Sequence, residues 1–549
     1  MAAGDPFDFS PGAQIPLSGA AGQTAATQAL ASAAYRDDAV EELLKANSDW
    51  ATSEVKKPRI ALFEPNLGEA FSRAVQQRML GGKPLIQSFG LEPRPVVEHC
   101  LAANRIRKQR DARLTLIMAV CGLLFLPGVL LWLGVFQLRR MLAGAQNKRA
   151  GALSTLLLTV LGVIAVIFLV KLPVHGFWSI YVRAMVIAPV IGGLWAKRIC
   201  ERTAKDLRSA WTGLLGGGGV AAKIPEAVPQ SPGETAAERL RQSLERLSAD
   251  QRSNIVFYAG PKGILGMGTR WGSWQLAEEL IPLDPDKEIN PFRSWDVIRA
   301  IHDQLRLLER SPVHTGGFTP PFVEHWVVSP IGEGATAVSR PEGTEGAFQI
   351  RGAELQKICN EQQFGSGDRH YLGVQFVLWD GQLVITLLIT VTVLHKTLRI
   401  EVTGHALGPT HSVFNGKPKN RTKTFKKGLK FWETRTVTLP VVAPREVVRL
   451  AARAPLTWYP PLLEYWGGKL VLPEPFGLRH AWADKPWRHR FMADDALRAA
   501  TPVLRVVHEA ALRVLKENGV DTEHFGKRAG SLSVAIQDVK PTQADVYNA

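Results

Sequence analysis

Residues 114–138 form a run of 25 residues without a single charge, and this run constrains the chain more than any other feature. As a helix it is about 37 Å long, against roughly 30 Å for the hydrocarbon core of a bilayer. A second uncharged run, 152–170, follows it. Soluble cores rarely hold helices this long and this uniformly apolar, so the chain is predicted to enter a membrane. Pro127-Gly128 sits in the middle of the first run, where the missing N–H predicts a kink, with a broken helix at a binding site as the alternative. Residues 177–196 form a third apolar segment, which contains Arg183. A cation near the centre of a span costs at least ~2.5 kcal/mol. The segment is therefore either a third span with a functional arginine or a helix lying in the interface. Trp178, Tyr181 and Trp195 near its ends resemble an aromatic belt and favour a span.

Cations flank these segments: Arg105, Arg107, Lys108, Arg110 and Arg113 before the first, and Lys197, Arg198, Arg202, Lys205 and Arg208 after the third. Arg139, Arg140, Lys148 and Arg149 lie between the first two. Two spans put both five-cation flanks inside, in keeping with the positive-inside rule; three spans put one of them outside. The expectation is a multi-pass cell-membrane protein with a cytoplasmic C-terminal module.

Residues 372–394 imitate a span, with Asp380 as the only charge. They are rejected as one, because Asp380-Gly381 between apolar runs signals a type I′ hairpin and the second run is rich in β-branched Val, Ile and Thr. After them Leu398, Ile400 and Val402 alternate with Arg399, Glu401 and Thr403. Three antiparallel strands are predicted at 371–379, 382–394 and 398–403. A short strand at 254–259, a possible partner strand at 271–283, a helix opened by Ser294 and a late helix ending at Gly519 complete an α+β pattern.

The predicted fold class is α+β: a helical transmembrane hairpin of two or three spans followed by an antiparallel-sheet α+β module. The divisions are a disordered tail at 1–35, a helical region at 36–113, the transmembrane region at 114–196 and a basic juxtamembrane linker at 197–233. The soluble module covers 234–525 and a tail 526–549. Asn66 with Glu69 reads as a capping box, and Pro95 as a helix opener. The four cysteines, Cys100, Cys121, Cys200 and Cys359, fit neither a disulfide scaffold nor a metal-ligand spacing.

Catalytic signatures are sparse. There is no GxxxxGK[ST], HExxH or GxSxG motif. The glycine-rich segment 260–268, with Lys262, reads as a tight hairpin linking two strands, an anion cradle being the alternative. His480, Asp484 and His489 lie close in sequence but fit no ligand pattern, and the neighbouring arginines oppose a cation. No metal and no cofactor is expected, and catalysis is not favoured. The net charge of +16 favours an acidic partner. Its densest part is 417–435, where Lys417, Lys419, Arg421, Lys423, Lys426, Lys427, Lys430 and Arg435 face Glu433 alone. Phe425, Phe431 and Trp432 are interleaved. The segment reads as a solvated hairpin with its aromatics in the core, or as a surface for anionic lipid headgroups, or as a nucleic-acid surface, less favoured. Trp458, Tyr459, Tyr465, Trp466, Trp482 and Trp487 among six prolines read as core beneath a proline-rich loop, with a partner surface as the alternative.

Residues 256–274 (VFYAGPKGILGMGTRWGSW) and the run 371–401 with Trp379-Asp380-Gly381 at its turn resemble uncharacterised integral membrane proteins of actinobacteria. So does the plan of short apolar spans ahead of a large α+β module. The resemblance implies no activity. The function expected is that of a membrane-anchored interaction, sensor or scaffold protein with a basic surface; a tethered enzyme and a small transport or channel component are the alternatives.

Overall fold

The computed structural model describes residues 23–47, 51–134, 160, 163, 176–215, 235–260, 263–310, 319–331, 344–345, 348–361, 367–418, 422–425, 435–438, 441–487, 490–523 and 525. The helices are α1 (Ala25–Ala33), α2 (Leu67–Met79), α3 (Pro93–Ile117), α4 (Leu126–Gly134), α5 (Phe177–Leu215), α6 (Thr235–Gln251), α7 (Ser294–Arg310), α8 (Gly352–Glu361), α9 (Pro444–Arg453), α10 (Pro460–Gly467) and α11 (Arg490–Glu517). The strands are β1 (Glu54–Lys56), β2 (Ile255–Tyr258), β3 (Thr269–Glu279), β4 (Phe322–Pro330), β5 (Thr344–Glu345), β6 (Gln349–Ile350), β7 (Arg369–Leu378), β8 (Leu383–Leu394), β9 (Thr397–Leu407), β10 (Thr422–Phe425), β11 (Arg435–Thr438) and β12 (Lys469–Val471).

The fold is α+β around a six-stranded sheet of order β2-β4-β7-β8-β9-β3. The apolar run at 372–394 is a hairpin, as its β-branched content predicts. Leu383, Ile385, Leu387, Ile389 and Val391 of β8 point to one face, where α7 and α11 cover them with Ile298, Ile301, Ala496 and Val503. The turn lies one residue earlier than predicted: Trp379 and Asp380 take φ of 54° and 52°, and the Gly381 N–H donates to the Leu378 carbonyl at 3.1 Å. The Trp379 indole explains the shift, because from that position its Nε1–H reaches Asp495 of α11 at 2.9 Å.

Two expectations about the sheet are corrected. It is mixed, not antiparallel throughout, because β2 and β4 run parallel with Ile255 opposite Val327. The segment 260–268 is not a hairpin between neighbouring strands, because β2 and β3 occupy opposite edges of the sheet. It folds back on β2 for one turn, Leu265 N–H to Phe257 O at 2.8 Å, and then crosses to the far edge. Gly266, at φ 89°, lies where a Cβ would come within 2.9 Å of the Gln87 carbonyl oxygen. Its role is close packing of backbone on backbone. Lys262 lies outside the described residues.

A second, helical core joins the two ends of the chain. Phe71 of α2 stacks near Trp482 and Phe414, with ring centroids at 5.1 and 6.4 Å. Trp211 of α5 and Val96 and Val97 of α3 share that core. Residues 36–113 and 234–525 are therefore not separate packing units. The tail expected at 1–35 also ends early. Thr24 caps α1, and the small alanine side chains of that helix let it lie buried against α3 and α5. The Asn66/Glu69 capping box does not form, because Arg449 holds the Asn66 side chain and Arg453 holds Glu69.

Histidines are set into both cores. His325 of β4 and His370 of β7 share a hydrogen bond of 3.0 Å beneath Trp295, with the His302 ring 4.6 Å from that of His325. Burial, together with the neighbouring imidazole in each case, pushes both members of the pair down. Burial lowers His99 and His405 to about 4. Groups held below their unfolded value of ~6.5 take up protons more readily once the chain unfolds, so they leave stability intact above pH 6.5 and erode it as pH falls towards 4. The unfolding free energy of the full chain in detergent is expected to fall across that window by up to about 1.4 kcal/mol per pH unit for each histidine, and the thermal midpoint to fall with it. A midpoint flat from pH 7 to 4.5 would contradict this.

Candidate membrane-facing site

Exposed large apolar side chains concentrate on the end of α3, on α4 and on the first half of α5. Leu116, Val120, Leu123, Leu130 and Leu131 lie on one side, and Ile187, Val190, Ile191, Leu194 and Trp195 on the other. A contiguous apolar surface of this extent is rare on soluble monomers. Among the described residues, one helix (Ser179–Leu215) is long and apolar enough to cross a membrane, or two if the bent pair Pro93–Leu123 and Leu126–Gly134 counts as one span. The run at 152–170 lies outside the described residues, apart from Val160 and Val163, which are helical.

The first run is broken, not merely kinked. Its two halves meet at 95°. Pro127 has no N–H to offer the Leu123 carbonyl, and the stretch Met118–Leu123 has already widened into a π-helix. Side chains and a close crossing then serve the loosened backbone. The Tyr181 hydroxyl donates to Leu124 O at 3.1 Å, and Trp132 Nε1–H donates to Val186 O at 3.1 Å. Pro189 inside α5 leaves the Met185 carbonyl without its helical N–H, and Gly128 packs so closely on that oxygen that any Cβ would overlap it. Arg183 is exposed on α5.

Beneath the apolar surface, α3 and α5 continue into the body of the fold, and α9 lies across them. Leu114, Ile117, Ile199 and Cys200 pack against Val447, Leu450 and Ala454. One turn further from the apolar surface is a buried ion cluster. Glu69 bonds Arg453 at 2.8 Å and Arg73 at 3.1 Å, and Arg110 bonds Asp111 at 2.8 Å. Arg107 donates to the carbonyls of Gly68 and Ala34. Burial by itself pushes the Glu69 carboxyl up, but Arg453, Arg73, Arg110 and Arg107 outweigh it and hold the group down at about 2. Arg107 and Arg110 are thus structural, and the flank ahead of the first run offers a membrane surface only Arg105, Lys108 and Arg113.

The aromatic-proline segment divides. Trp482 and Trp487 are buried, as predicted. Trp458, Tyr459 and Tyr465 are not: Trp458 is 70% exposed and Tyr459 62%. They follow α9 directly and share the surface with Ile60, Leu62 and Val448, and Arg59 lies over the Tyr465 ring at 3.9 Å. Sequence alone gave no sign of which aromatics would turn outward.

The other predicted positions are mostly dispersed. Of the basic stretch, Lys417 is exposed and Lys423 lies on β10, which pairs with β11 as a two-stranded ribbon. Lys419, Arg421, Lys426, Lys427, Lys430 and Trp432 lie outside the described residues. His480 is buried, and its Nδ1 accepts the Gly266 N–H at 3.3 Å, a structural role. Asp484 caps Lys485, and His489 lies outside the described residues. No group of three metal-ligating side chains occurs among the described residues. A cavity of about 340 Å³ went unpredicted; Tyr371, Thr390, Thr392, Arg399 and Glu401 are among the residues that line it at the open end of the sheet.

Two outcomes follow. Glu69→Gln leaves the buried Arg453 guanidinium without its carboxylate and is expected to cost about 3–5 kcal/mol in unfolding measurements; a loss below about 1 kcal/mol would mean the pair is not a lock. A spin label at Tyr459→Cys, with the chain in bilayers, is expected to collide with oxygen more than with a water-soluble nickel chelate. The same label at the exposed Lys287→Cys is expected to do the reverse. An aqueous pattern at both sites would detach the aromatic surface from the membrane.

No curated protein and no solved structure matches the chain. The sheet from β3 onward, the ribbon, α9 and α11, without the apolar helices, fall within the part of this chain, residues 273–540, that matches the family model of the AbeC-like domain.

Proposed function

We propose that the chain is a membrane-anchored interaction protein, without catalysis of its own, whose α+β module rests on the cytoplasmic face of the cell membrane. The observation that carries this is the exposed apolar surface of α3, α4 and α5 above a soluble body into which both α3 and α5 descend. Because residues before 114 and after 196 belong to one body, an even number of crossings separates them. Three apolar segments with an even count leave one that enters and returns, and the 95° break favours the first run for that role. The reading keeps a transmembrane hairpin and puts Arg183 on the lipid side of its second arm, close enough to the far interface to snorkel.

The basic ribbon β10–β11 ends six residues before α9. This closeness in sequence supports a position for the 417–435 charge beside the membrane surface, where anionic headgroups would attract each Lys or Arg by about 1 kcal/mol. A protein partner would then meet the open sheet end. A second reading, a tethered enzyme, has the cavity at Tyr371 and Glu401 in its favour, not the His480 region.

A reporter active on only one side of the membrane, fused after Ala549, is expected to report the cytoplasm, and the chain to stay in the pellet after alkaline carbonate. Release by carbonate would end the anchored reading, and an external signal would end the cytoplasmic one. In nanodiscs of anionic lipid, hydrogen exchange across 417–435 is expected to slow relative to zwitterionic lipid, and added salt to abolish the difference. Equal exchange in both lipids would remove the headgroup contact.

A further inference from the structure

The geometry points to a lipid-binding site: an apolar cavity of about 510 Å³ between the broken helix, α5 and α9 that takes one acyl chain of a bilayer phospholipid. The inference rests on the membrane reading above and goes beyond it by naming a ligand inside the protein.

The cavity is built by the features that break the first run. After the 95° turn, α4 leaves the axis of α3 and carries Trp132 out over α5. The amphipathic helix α9 supplies the opposite wall with Val448 and Ala452. Between them Gly193 contributes no side chain, and nothing lies within 4 Å of where its Cβ would be. The volume falls inside the ~300–1,000 Å³ typical of ligand sites. Its walls are almost wholly carbon, and Lys197 is the one charged residue among the described lining residues.

The bilayer is the source of the occupant for two reasons. Val190 and Leu194 line the cavity and are also exposed on the outward face of α5, so the cavity opens sideways onto the surface that hydrocarbon covers. An apolar void of this size forfeits dispersion contacts on every wall, and a lipid tail beside it restores them without dehydrating any polar group. Lys197 stands at the level where α5 enters the soluble body, the height of a phosphodiester.

The test uses the full chain in nanodiscs containing a phospholipid with a photoactivatable diazirine in its tail. Cross-links are expected on the α9 peptide spanning Val448 and Ala452 as well as on outward residues such as Leu123 and Ile187. Val448 is also part of the exposed apolar surface, so it is the loss of α9 labelling when the cavity is filled that reports a tail inside it. Gly193→Trp fills the space and is expected to cut α9 labelling at least fivefold. Gly134→Trp, whose Cβ also meets open space but off the cavity, is expected to leave it unchanged. Val448→Trp fills the cavity from the other wall and repeats the test should Gly193→Trp fail to fold. Labelling confined to outward residues, or α9 labelling that survives both filling variants, would overturn the site while leaving the membrane reading intact. No labelling anywhere, with release by carbonate, would instead overturn the membrane reading, and the lipid site with it.

Discussion

The buried pairing of Glu69 with Arg453 fixes where everything near the exposed apolar surface must lie. A carboxylate and several guanidiniums removed from water carry a large desolvation cost, and close geometry alone recovers it. That geometry is met where α2, α3 and α9 converge, about one turn below the last exposed leucines of α3. It obliges α9, far along the chain from α3, to return and lie across the base of the apolar helices. The outward aromatics at Trp458 and Tyr459 and the basic ribbon before α9 take their positions from this return.

The sheet answers to a different constraint. Its helix-covered face is a continuous field of Leu, Ile and Val, and that field pins the strand register: a slip by one residue would exchange Ile385 and Leu387 for Thr386 and Leu388. The opposite face is covered at one end by Phe89 and Trp326 and open at the other, where threonines, Tyr371 and the Arg399–Glu401 pair replace carbon. The match to the AbeC-like domain takes in this sheet from β3 onward and the Tyr371–Glu401 hairpin, but not most of the 256–274 segment.

What the sequence made legible follows from range. The β7–β8–β9 meander was readable because β-branched runs and a local turn suffice to specify neighbours. The parallel β2–β4 pair was not, because pairing across more than sixty residues leaves no local mark. The apolar runs announced themselves by composition. Pro127 signalled a disturbance, but the size of the bend depended on Tyr181, Met185 and Trp132, partners that only the fold brings near. α1 was hidden because alanine-rich, uncharged sequence reads as a tail until a surface exists on which small side chains pack closely. The exposed aromatics and the buried Arg107 were misplaced for the same reason: burial belongs to the partner as much as to the residue.

Phe71 has a bearing on biosynthesis. Its ring completes the helical core only with Phe414 and Trp482, and β1 finds its strand partner only at β12. About 340 residues separate Phe71 from Phe414, so at ~5–20 residues per second a ribosome needs roughly 20–70 s to deliver the missing half. Through that interval the apolar segments have already emerged, while the body that closes around their bases does not yet exist. α2 and α3 spend that wait with an incomplete core, the period in which a chaperone has the most apolar area to hold; on the membrane reading, insertion of those segments would precede folding.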